Sequence, residues 1–386
     1  IVYDVHDAQR DEVLEDMALL AEGMKLLQYD YLGGHGSRGY GKIKFENLNV
    51  QPAIGEIDPT LVQKCVAAFE GVCAMEYVVY KLQFSAGVHF GTGALSDGAN
   101  TLPADTLFSA LCQEAAAEDG PEGIEALVQA VRADKLRLSD LFPYIGEELY
   151  LPKPLYPIKR EKTGNSIVKK SFKKLKYIPA TQISIYLQGD LDPLAQVDKL
   201  KQLGQFEMRT MTAIRSSEKL DTGDALPFNV GVYHFAKGNG LYFLAGFADR
   251  GMRDTLENLL LSLSFTGIGG KKSAGLGRFS VSRHGVPDEL AKRLATDKTP
   301  CMSLSVCMEH AEQLEQVLCN AYYLLTKRSG FVDSVSYAPE QRRKRDFYVF
   351  TAGSCFATRF SGDVYDVSNG GTHPVYRYAA PLWMEM

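Results

Sequence analysis

The chain contains no Cys-x-x-Cys pair, although seven cysteines are scattered over its 386 residues. Such scattering argues against a zinc site or a disulfide framework and favours reduced thiols. No apolar run approaches 18 residues and no secretory signal is visible, so we expect a soluble, cytoplasmic protein without membrane contact. The histidines lack metal-ligand spacing and no catalytic set of side chains stands out, so we expect neither a metal nor a cofactor.

An excess of positive charge is also lacking, because the formal net charge is −5. Basic residues are nevertheless concentrated in two runs: residues 159–176 hold eight Lys or Arg against one Glu, and residues 327–345 hold six against two acidic residues. Basic runs in a chain of net negative charge suggest that one face of the protein is positive. The rest of the surface is then acidic, and we expect it to contact other proteins. A solvated loop is the alternative for either run. The lysines that we expect to contact nucleic acid are Lys169, Lys170, Lys173 and Lys174.

Glycine is abundant, and two glycine-rich segments echo each other. Residues 32–45, LGGHGSRGYGKIKF, align without a gap with residues 268–281, IGGKKSAGLGRFSV. Apolar residues at helical spacing precede each segment, over 11–27 and 253–265, and an alternating strand pattern follows it. A unit of helix, glycine loop and strand therefore occurs twice in the chain.

Neither glycine segment fits a nucleotide site. The window GHGSRG (34–39) satisfies G-x-G-x-x-G, but that motif requires a strand before it and a helix after it, the reverse of the order here. Gly270-Lys271-Lys272 lacks the Ser or Thr that a P-loop places after its Gly-Lys pair. Successive backbone N–H groups, with Lys271, Lys272 and Arg278 adding charge, can instead hold the phosphates of an RNA backbone. A turn that serves only packing is the alternative.

The remaining pattern predicts an α+β chain. The predicted elements are a strand in 75–91, a helix at 100–118, an extended loop at 150–180, strands at 183–189, 229–235 and 240–247, and a helix at 311–325. Small mixed groups of this kind fit two ferredoxin-like units better than a doubly wound sheet. We divide the chain into a partial segment 1–74, a first unit 75–180 with a basic loop, and a second unit 181–386. Residues 1–74 are too few for a domain, and Met75 resembles the first residue of a new polypeptide. We therefore expect residues 1–74 to be the C-terminal piece of a neighbouring polypeptide.

Two further segments suggest binding. Residues 206–234 set Arg209 and Arg215 around apolar residues, which is typical of a hairpin that wedges between bases while its arginines grip phosphate. An ordinary surface hairpin is the alternative. His89, in AGVHFGTG, follows a strand and opens a glycine-containing loop, so it could contact a ligand or act as a base.

These segments resemble a known family. GIGGKKSAGLGRF (267–279) looks like the glycine-rich loop of the RAMP superfamily of CRISPR effector proteins. VYKLQFSAGVHFGTG (79–93), NTLPADTLFSAL (100–111), KKLKYIPA (173–180) and the segment 350–383 are similar, in order, to the fourth subunit of the type III-A Csm complex. Separately, residues 26–48 resemble the C-terminal glycine loop of the backbone subunit, without the region that carries that family's target-cleaving Asp.

The resemblance implies a non-catalytic subunit of two ferredoxin-like RAMP units with a thumb-like hairpin at about 205–230. It also implies that the subunit binds the 5′ handle of crRNA and bridges the Cas10-type large subunit to the backbone subunit in a ribonucleoprotein. The RNA-binding positions that it implies are Gly269, Gly270, Lys271, Lys272, Ser273, Gly275, Gly277 and Arg278, with His89 and Gly91 in the facing loop. In the first glycine segment, the corresponding expectation covers Gly33, Gly34, Ser37 and Arg38. The alternative is a RAMP-type endoribonuclease that cuts precursor crRNA with His89 as general base.

Overall fold

The computed structural model describes residues 2–3, 5, 10–29, 43, 45, 48, 50–55, 57–69, 75–158, 166–213, 226–334 and 336–386. Helices and strands mix along the chain, and the strand pairs are antiparallel. The helices are α1 Arg10–Tyr29, α2 Pro59–Ala68, α3 Ala104–Arg132, α4 Ser166–Lys174, α5 Ile183–Gln188, α6 Pro193–Lys201, α7 Arg250–Thr266, α8 Asp288–Leu294 and α9 Ala311–Leu318.

The strands are short outside the main sheet and one long hairpin. They are β1 Glu76–Phe84, β2 Leu136–Leu138, β3 Phe142–Ile145, β4 Glu148–Pro152, β5 Tyr177–Pro179, β6 Gly204–Ala213, β7 Leu226–Phe235, β8 Asn239–Phe247, β9 Phe279–Gly285, β10 Cys301–Ser303, β11 Leu325–Arg328, β12 Phe347–Phe350, β13 Cys355–Phe356, β14 Asp363–Asp366, β15 Tyr376–Ala379 and β16 Trp383–Glu385. None of the described helices combines the length and apolar character needed to cross a membrane.

The chain divides into two compact units, and the first comprises residues 1–76 with 247–253. Its described part contains α1, which confirms the helix predicted before the first glycine segment, and α2. The side chain of Asp58 caps α2 by accepting a hydrogen bond from the Thr60 N–H at 2.9 Å, and Pro59 occupies the first turn, where its missing N–H costs nothing. Val13 and Met17 of α1 pack with Leu61 of α2 in a small apolar core.

The second unit comprises residues 77–246 with 254–386 and is built around a seven-stranded sheet. The strand order is β5-β4-β3-β8-β1-β9, and β2 also pairs with β8. β8 is buried along its whole length. A central strand that is covered on both faces carries a nearly continuous apolar run, and the sequence of β8 is mostly apolar. Strands from both sides of residue 180 share this sheet. The strands predicted at 229–235 and 240–247 are confirmed as β7 and β8.

Two of the predicted elements between residues 150 and 189 are wrong. The predicted strand at 183–189 is the helix α5, whose buried Ile183 and Tyr186 are one helical turn apart. Gly189 ends that helix in the left-handed conformation at φ 88°, which glycine adopts without steric cost. The stretch 150–180 is not an extended loop throughout, because it contains α4 and β5. Alternating apolar residues in a short segment fit either period, and only the packing decides between them.

The last ninety residues form three small antiparallel groups. β10 pairs with β13 and β16, β11 with β12, and β14 with β15. Rings of Phe350, Phe356 and Phe360 pack with Trp383, the single tryptophan of the chain. The helix predicted at 311–325 is correct only as far as Leu318, since Asn320 is left-handed at φ 54° and residues 325–328 form β11.

The start of α3 is held by a residue outside the helix. Pro103 precedes the helix and has no capping side chain, but Asp140 Oδ1 accepts hydrogen bonds from the N–H of Ala104 at 2.8 Å and of Val306 at 2.9 Å. Burial, together with the charge of the nearby Asp105, raises the pKa of Asp140 to about 7 against the opposing effect of these N–H groups. The native state therefore holds a proton on Asp140 that the unfolded chain, with an Asp pKa of about 3.9, releases near pH 4.

We expect stability to fall as pH rises from 5 through 7, because the native state binds more protons than the unfolded state over that interval. Asp140→Asn keeps the accepting oxygen and removes the titration. The wild type should therefore lose about 2 kcal/mol more than Asp140→Asn between pH 5 and pH 8. Urea unfolding followed by Trp383 fluorescence measures the difference, and an identical pH dependence of the two proteins would contradict it.

Candidate nucleic-acid interface

The second glycine segment, residues 267–278, lies between α7 and β9 and closes on itself. The N–H of Ile268 donates to the carbonyl oxygen of Gly277 at 3.0 Å. Gly277 has φ 81°, and a Cβ at that position would lie 2.1 Å from the Ile268 carbonyl oxygen. Only glycine permits both the left-handed backbone and this approach. We call residues 267–278 the glycine loop.

The glycine loop is joined to the segment that follows β1. The N–H of Gly270 donates to the carbonyl of His89 at 2.8 Å, and the N–H of Gly277 donates to that of Gly87 at 3.0 Å. A Cβ on Gly269 would lie 2.8 Å from the His89 carbonyl oxygen, so this contact also requires glycine. The structure thus brings His89 and the predicted facing loop directly against the glycine loop. Gly91 lies beside the His89 ring.

His89 supports these two loops from the inside. Its side chain is 4% exposed, and Nδ1 lies 2.8 Å from the carbonyl oxygen of Gly231 in β7. A carbonyl oxygen can only accept, so Nδ1 carries the proton. The ring therefore ties the loop after β1 to β7 and packs against Gly270.

The cations of the glycine loop lack acidic partners. Lys271 Nζ lies 4.6 Å from the centre of the Phe228 ring, and Lys272 Nζ donates to the amide oxygen of Gln113 at 3.2 Å. Arg278 and Ser273 are exposed. Over the part of the chain that the structure describes, none of the three cations forms an ion pair with a carboxylate. Their charge remains available to an anion from solution.

The backbone of the glycine loop adds donors beside these cations. Lys271 is left-handed at φ 61°, and the 3-10 turn Lys272–Ala274 follows it directly. Within the described ranges, the N–H groups of Lys271, Lys272 and Ser273 have no backbone acceptor. Three successive N–H groups in such a left-handed and helical sequence form a concavity that suits an anionic oxygen.

The hairpin of β6 and β7 forms the third side of the interface. Its register runs from Gly204 opposite Phe235 to Ala213 opposite Leu226, as expected for the segment 206–234. Val230 and Val232 of β7 pack on Leu276 of the glycine loop. On β6, Phe206 and Met208 expose more than half of their side chains. The hairpin therefore packs on the glycine loop through β7 and exposes apolar side chains on β6.

Of the two arginines predicted to bind RNA on the hairpin, the structure describes Arg209 and not Arg215. Arg209 lies on β6 with Nη2 3.4 Å from Glu207 Oε2, a carboxylate that also faces His234 at 2.7 Å. The tip of the hairpin, including Arg215, lies outside the described residues. So do Gly33, Gly34, Ser37 and Arg38 of the first glycine segment.

The four predicted lysines of the first basic run lie on α4 and are exposed. Ser171 and Phe172 form the inner side of this helix, and the Phe172 ring stacks on Tyr186 of α5 at 5.8 Å. α4 leads into β5, the edge of the sheet opposite β9. Five steps of about 4.8 Å across the sheet separate those edges by about 24 Å. The structure therefore does not bring these lysines together with the glycine loop.

Sequence reasoning missed several residues that shape the interface. Gly231 lies within β7, and a Cβ there would be 2.4 Å from the Ser96 carbonyl oxygen. A glycine inside a strand pattern is a signal of close backbone approach, so this contact could have been anticipated. No local sequence pattern predicts that Leu276 packs on Val230 or that Phe228 lies under Lys271.

Within the described ranges, no cluster of three or more His, Cys, Asp or Glu side chains could hold a metal ion. Asp363 and Asp366, the acidic pair nearest the C-terminus, serve local structure instead: Asp363 pairs with Arg132 at 3.0 Å, and Asp366 accepts the Ser368 N–H at 2.7 Å.

Comparison with known proteins identifies the family. Residues 296–386 match the family model described as the CRISPR Csm4 C-terminal domain. The chain is 37% identical over 298 residues to the CRISPR system Cms protein Csm4 of Mycobacterium tuberculosis, covering 77% of this chain and 94% of that protein. A shorter match, 52% identical over 54 residues, joins 14% of this chain to 23% of the CRISPR system Cms endoribonuclease Csm3 of the same species.

A solved structure shares the fold. A chain in the crystal structure of a Csm3–Csm4 subcomplex of the type III-A CRISPR-Cas interference complex aligns with a TM-score of 0.56 at 19% identity, covering 81% of this chain and 99% of that one. The level of identity to the Mycobacterium protein over nearly its whole length, together with the C-terminal family model, shows that the chain belongs to the Csm4 family.

Proposed function

We propose that this protein is a non-catalytic subunit of a cytoplasmic type III-A Csm ribonucleoprotein and binds the 5′ handle of crRNA through the glycine loop. The observation that carries the proposal is the set of three uncompensated cations and three successive free N–H groups on one loop. Phosphate groups are the ligands that such a loop suits, and single-stranded RNA presents them in series. The expected RNA contacts of the facing loop, the hairpin and α4 are part of the same proposal.

The burial of His89 argues against its role as a general base. A general base must reach the 2′-hydroxyl within hydrogen-bond distance. In this structure the ring is 4% exposed and one of its nitrogens is committed to Gly231. The curated Csm4 relative is named a protein of the system, whereas the Csm3 relative is named an endoribonuclease.

We also propose that the second unit contains a ferredoxin-like RAMP core with the β6–β7 hairpin as its thumb. The support is the sheet order β9-β1-β8-β3, with α3 following β1 and α7 following β8. The domain boundary at residue 180 stays a prediction. The crystal structure that shares the fold is of a Csm3–Csm4 subcomplex, which supports a backbone subunit as one partner. The Cas10-type large subunit as the second partner, and a backbone-subunit origin of residues 1–74, follow from the sequence resemblance.

The test is a triple variant of the glycine loop, Lys271→Ala with Lys272→Ala and Arg278→Ala, assembled into the Csm complex. Removing three phosphate contacts should reduce handle affinity by about tenfold or more and release crRNA from the purified complex. The matched control removes three exposed lysines elsewhere: Lys199→Ala, Lys237→Ala and Lys292→Ala. Equal crRNA content of the two complexes would refute the proposal, and cleavage of repeat RNA lost on His89→Ala would favour the enzyme.

A further inference from the structure

The second basic run, residues 327–345, has no role in the glycine loop. It begins on β11, which pairs with β12 so that Lys327 lies opposite Tyr348 and Arg328 opposite Phe347. Neighbouring residues of a strand point to opposite faces. Arg328 turns inward, where its Nε and Nη2 atoms donate to the two carboxylate oxygens of Asp105, each at 2.8 Å. Lys327 and Tyr348 therefore share the outward face.

A second exposed ring lies beyond the end of β11. Phe331 pairs across a β-bridge with Arg343, whose guanidinium carbon lies 5.3 Å from the centre of the Phe331 ring. Phe331 is 50% exposed and Tyr348 is 55% exposed. Both half-exposed rings have a cation beside them, because Arg343 lies over Phe331 and Lys327 is opposite Tyr348. We call Lys327, Phe331, Arg343 and Tyr348 the aromatic ladder.

The charge around the aromatic ladder favours a polyanion. Arg342 Nη1 donates to the carbonyl of Gly370 at 2.9 Å, so its guanidinium is held in place without losing its charge. Lys327 pairs with Asp346 at 2.7 Å, but both side chains are half-exposed, which makes the pair weak and exchangeable. Arg343 forms no ion pair with a carboxylate among the described residues. Leu324 and Leu325, where β11 begins, are also more than half exposed.

One side chain connects the aromatic ladder with the glycine loop. Gln113 of α3 accepts a hydrogen bond from Lys272 Nζ at 3.2 Å, and its amide nitrogen donates to Asp333 Oδ2, also at 3.2 Å. Asp333 is two residues beyond Phe331. A strand of RNA that leaves the glycine loop at Lys272 thus meets the start of the aromatic ladder within the reach of one glutamine.

We infer that the aromatic ladder is a second surface for single-stranded RNA, which holds the nucleotides adjacent to those at the glycine loop. The inference rests on the proposed function of that loop. Phe331 and Tyr348 offer faces on which two bases stack, while Arg343 and Arg342 meet the phosphates between them. Stacking on aromatic rings tolerates any base, so the surface holds RNA without reading its sequence.

The experiment compares three synthetic RNAs on the full chain: a short one limited to the handle, and two that carry eight additional uridines, one at the 5′ end and one at the 3′ end. Phe331→Ala and Tyr348→Ala should each weaken binding of an extended RNA about fivefold or more and leave the short RNA unchanged. Phe331→Tyr and Tyr348→Phe keep a ring and should bind normally. Phe265→Ala, which removes a ring that is 71% exposed on α7, is the matched control.

The possible results distinguish a failure of the aromatic-ladder inference from a failure of the proposed function of the glycine loop. Unchanged binding of both extended RNAs, or equal loss for short and extended RNA in a normally folded variant, overturns the inference. Loss of a protein subunit with RNA binding intact also overturns it, because the surface then docks protein. If the glycine-loop triple variant binds the short RNA normally while the aromatic-ladder variants fail on extended RNA, the proposed function of the glycine loop fails and the aromatic ladder stands. 5-Iodouridine in the extension should crosslink to Phe331 or Tyr348.

Discussion

Replacing Asp105 with Ala is expected to lower the free energy of unfolding by about 3–5 kcal/mol, because two largely buried guanidinium groups lose the carboxylate that pairs with both of them. Asp105 is fully buried in the first turn of α3 and pairs with Arg328 of β11 and Arg377 of β15. Burial alone would raise the pKa of Asp105, but the charge of Arg328 and then that of Arg377 outweigh it and hold the pKa below its ordinary value. The three side chains join α3 to two strands near the C-terminus.

Unfolding by guanidinium chloride, followed by Trp383 fluorescence, measures this change. The control is Asp198→Ala, which breaks the Asp198–Lys201 pair at 2.7 Å on the surface of α6 and should cost about 0.5 kcal/mol or less. If Asp105→Ala unfolds at the same denaturant concentration as Asp198→Ala, the buried network does not hold α3 to the C-terminal strands.

Replacing Gly277 with Ala is expected to disrupt the glycine loop and to lower both stability and RNA affinity. The new Cβ meets a backbone oxygen at 2.1 Å, and backbone atoms cannot rotate away as a side chain can. The left-handed backbone adds its own strain, so we expect a loss of at least about 2 kcal/mol of stability and about tenfold or more of RNA affinity. Fluorescence anisotropy with labelled handle RNA measures the affinity.

The same loop offers a matched control. Gly275 has φ 80°, nearly that of Gly277, but a Cβ there meets no atom within 4 Å. Gly275→Ala therefore carries the backbone strain without the collision and should cost about 1 kcal/mol. If the two variants behave alike, the close approach to Ile268 does not shape the glycine loop.

Local patterns predicted the elements that position the site. The helix before each glycine segment, the strand after the second and the two strands β7 and β8 follow from apolar periodicity, which the local sequence contains in full. The glycine loop itself was predictable because positive φ angles and close approach leave a mark in residue type. Gly277 and Gly269 occur where only hydrogen can stand in place of a side chain.

Contacts between distant residues were not predictable in this way. Asp105 could be placed at the positive end of a helix, but its partners lie 223 and 272 residues away, and no local pattern points to them. His89 could be placed beside the glycine loop, but its burial depends on Gly231 of β7. The segment 183–189 was misjudged because its apolar spacing fits a strand as well as a helix, and the segment 311–325 because the left-handed Asn320 follows the end of α9.

The salt dependence of handle-RNA binding tests the central claim most directly. For a single strand, the slope of log affinity against log salt concentration is about −0.7 per phosphate neutralised. We expect the triple variant of Lys271, Lys272 and Arg278 to flatten this slope by about 2 and the control triple variant of Lys199, Lys237 and Lys292 to leave it unchanged. Equal slopes for the wild type and the glycine-loop variant would contradict the assignment of that loop as the handle-binding surface.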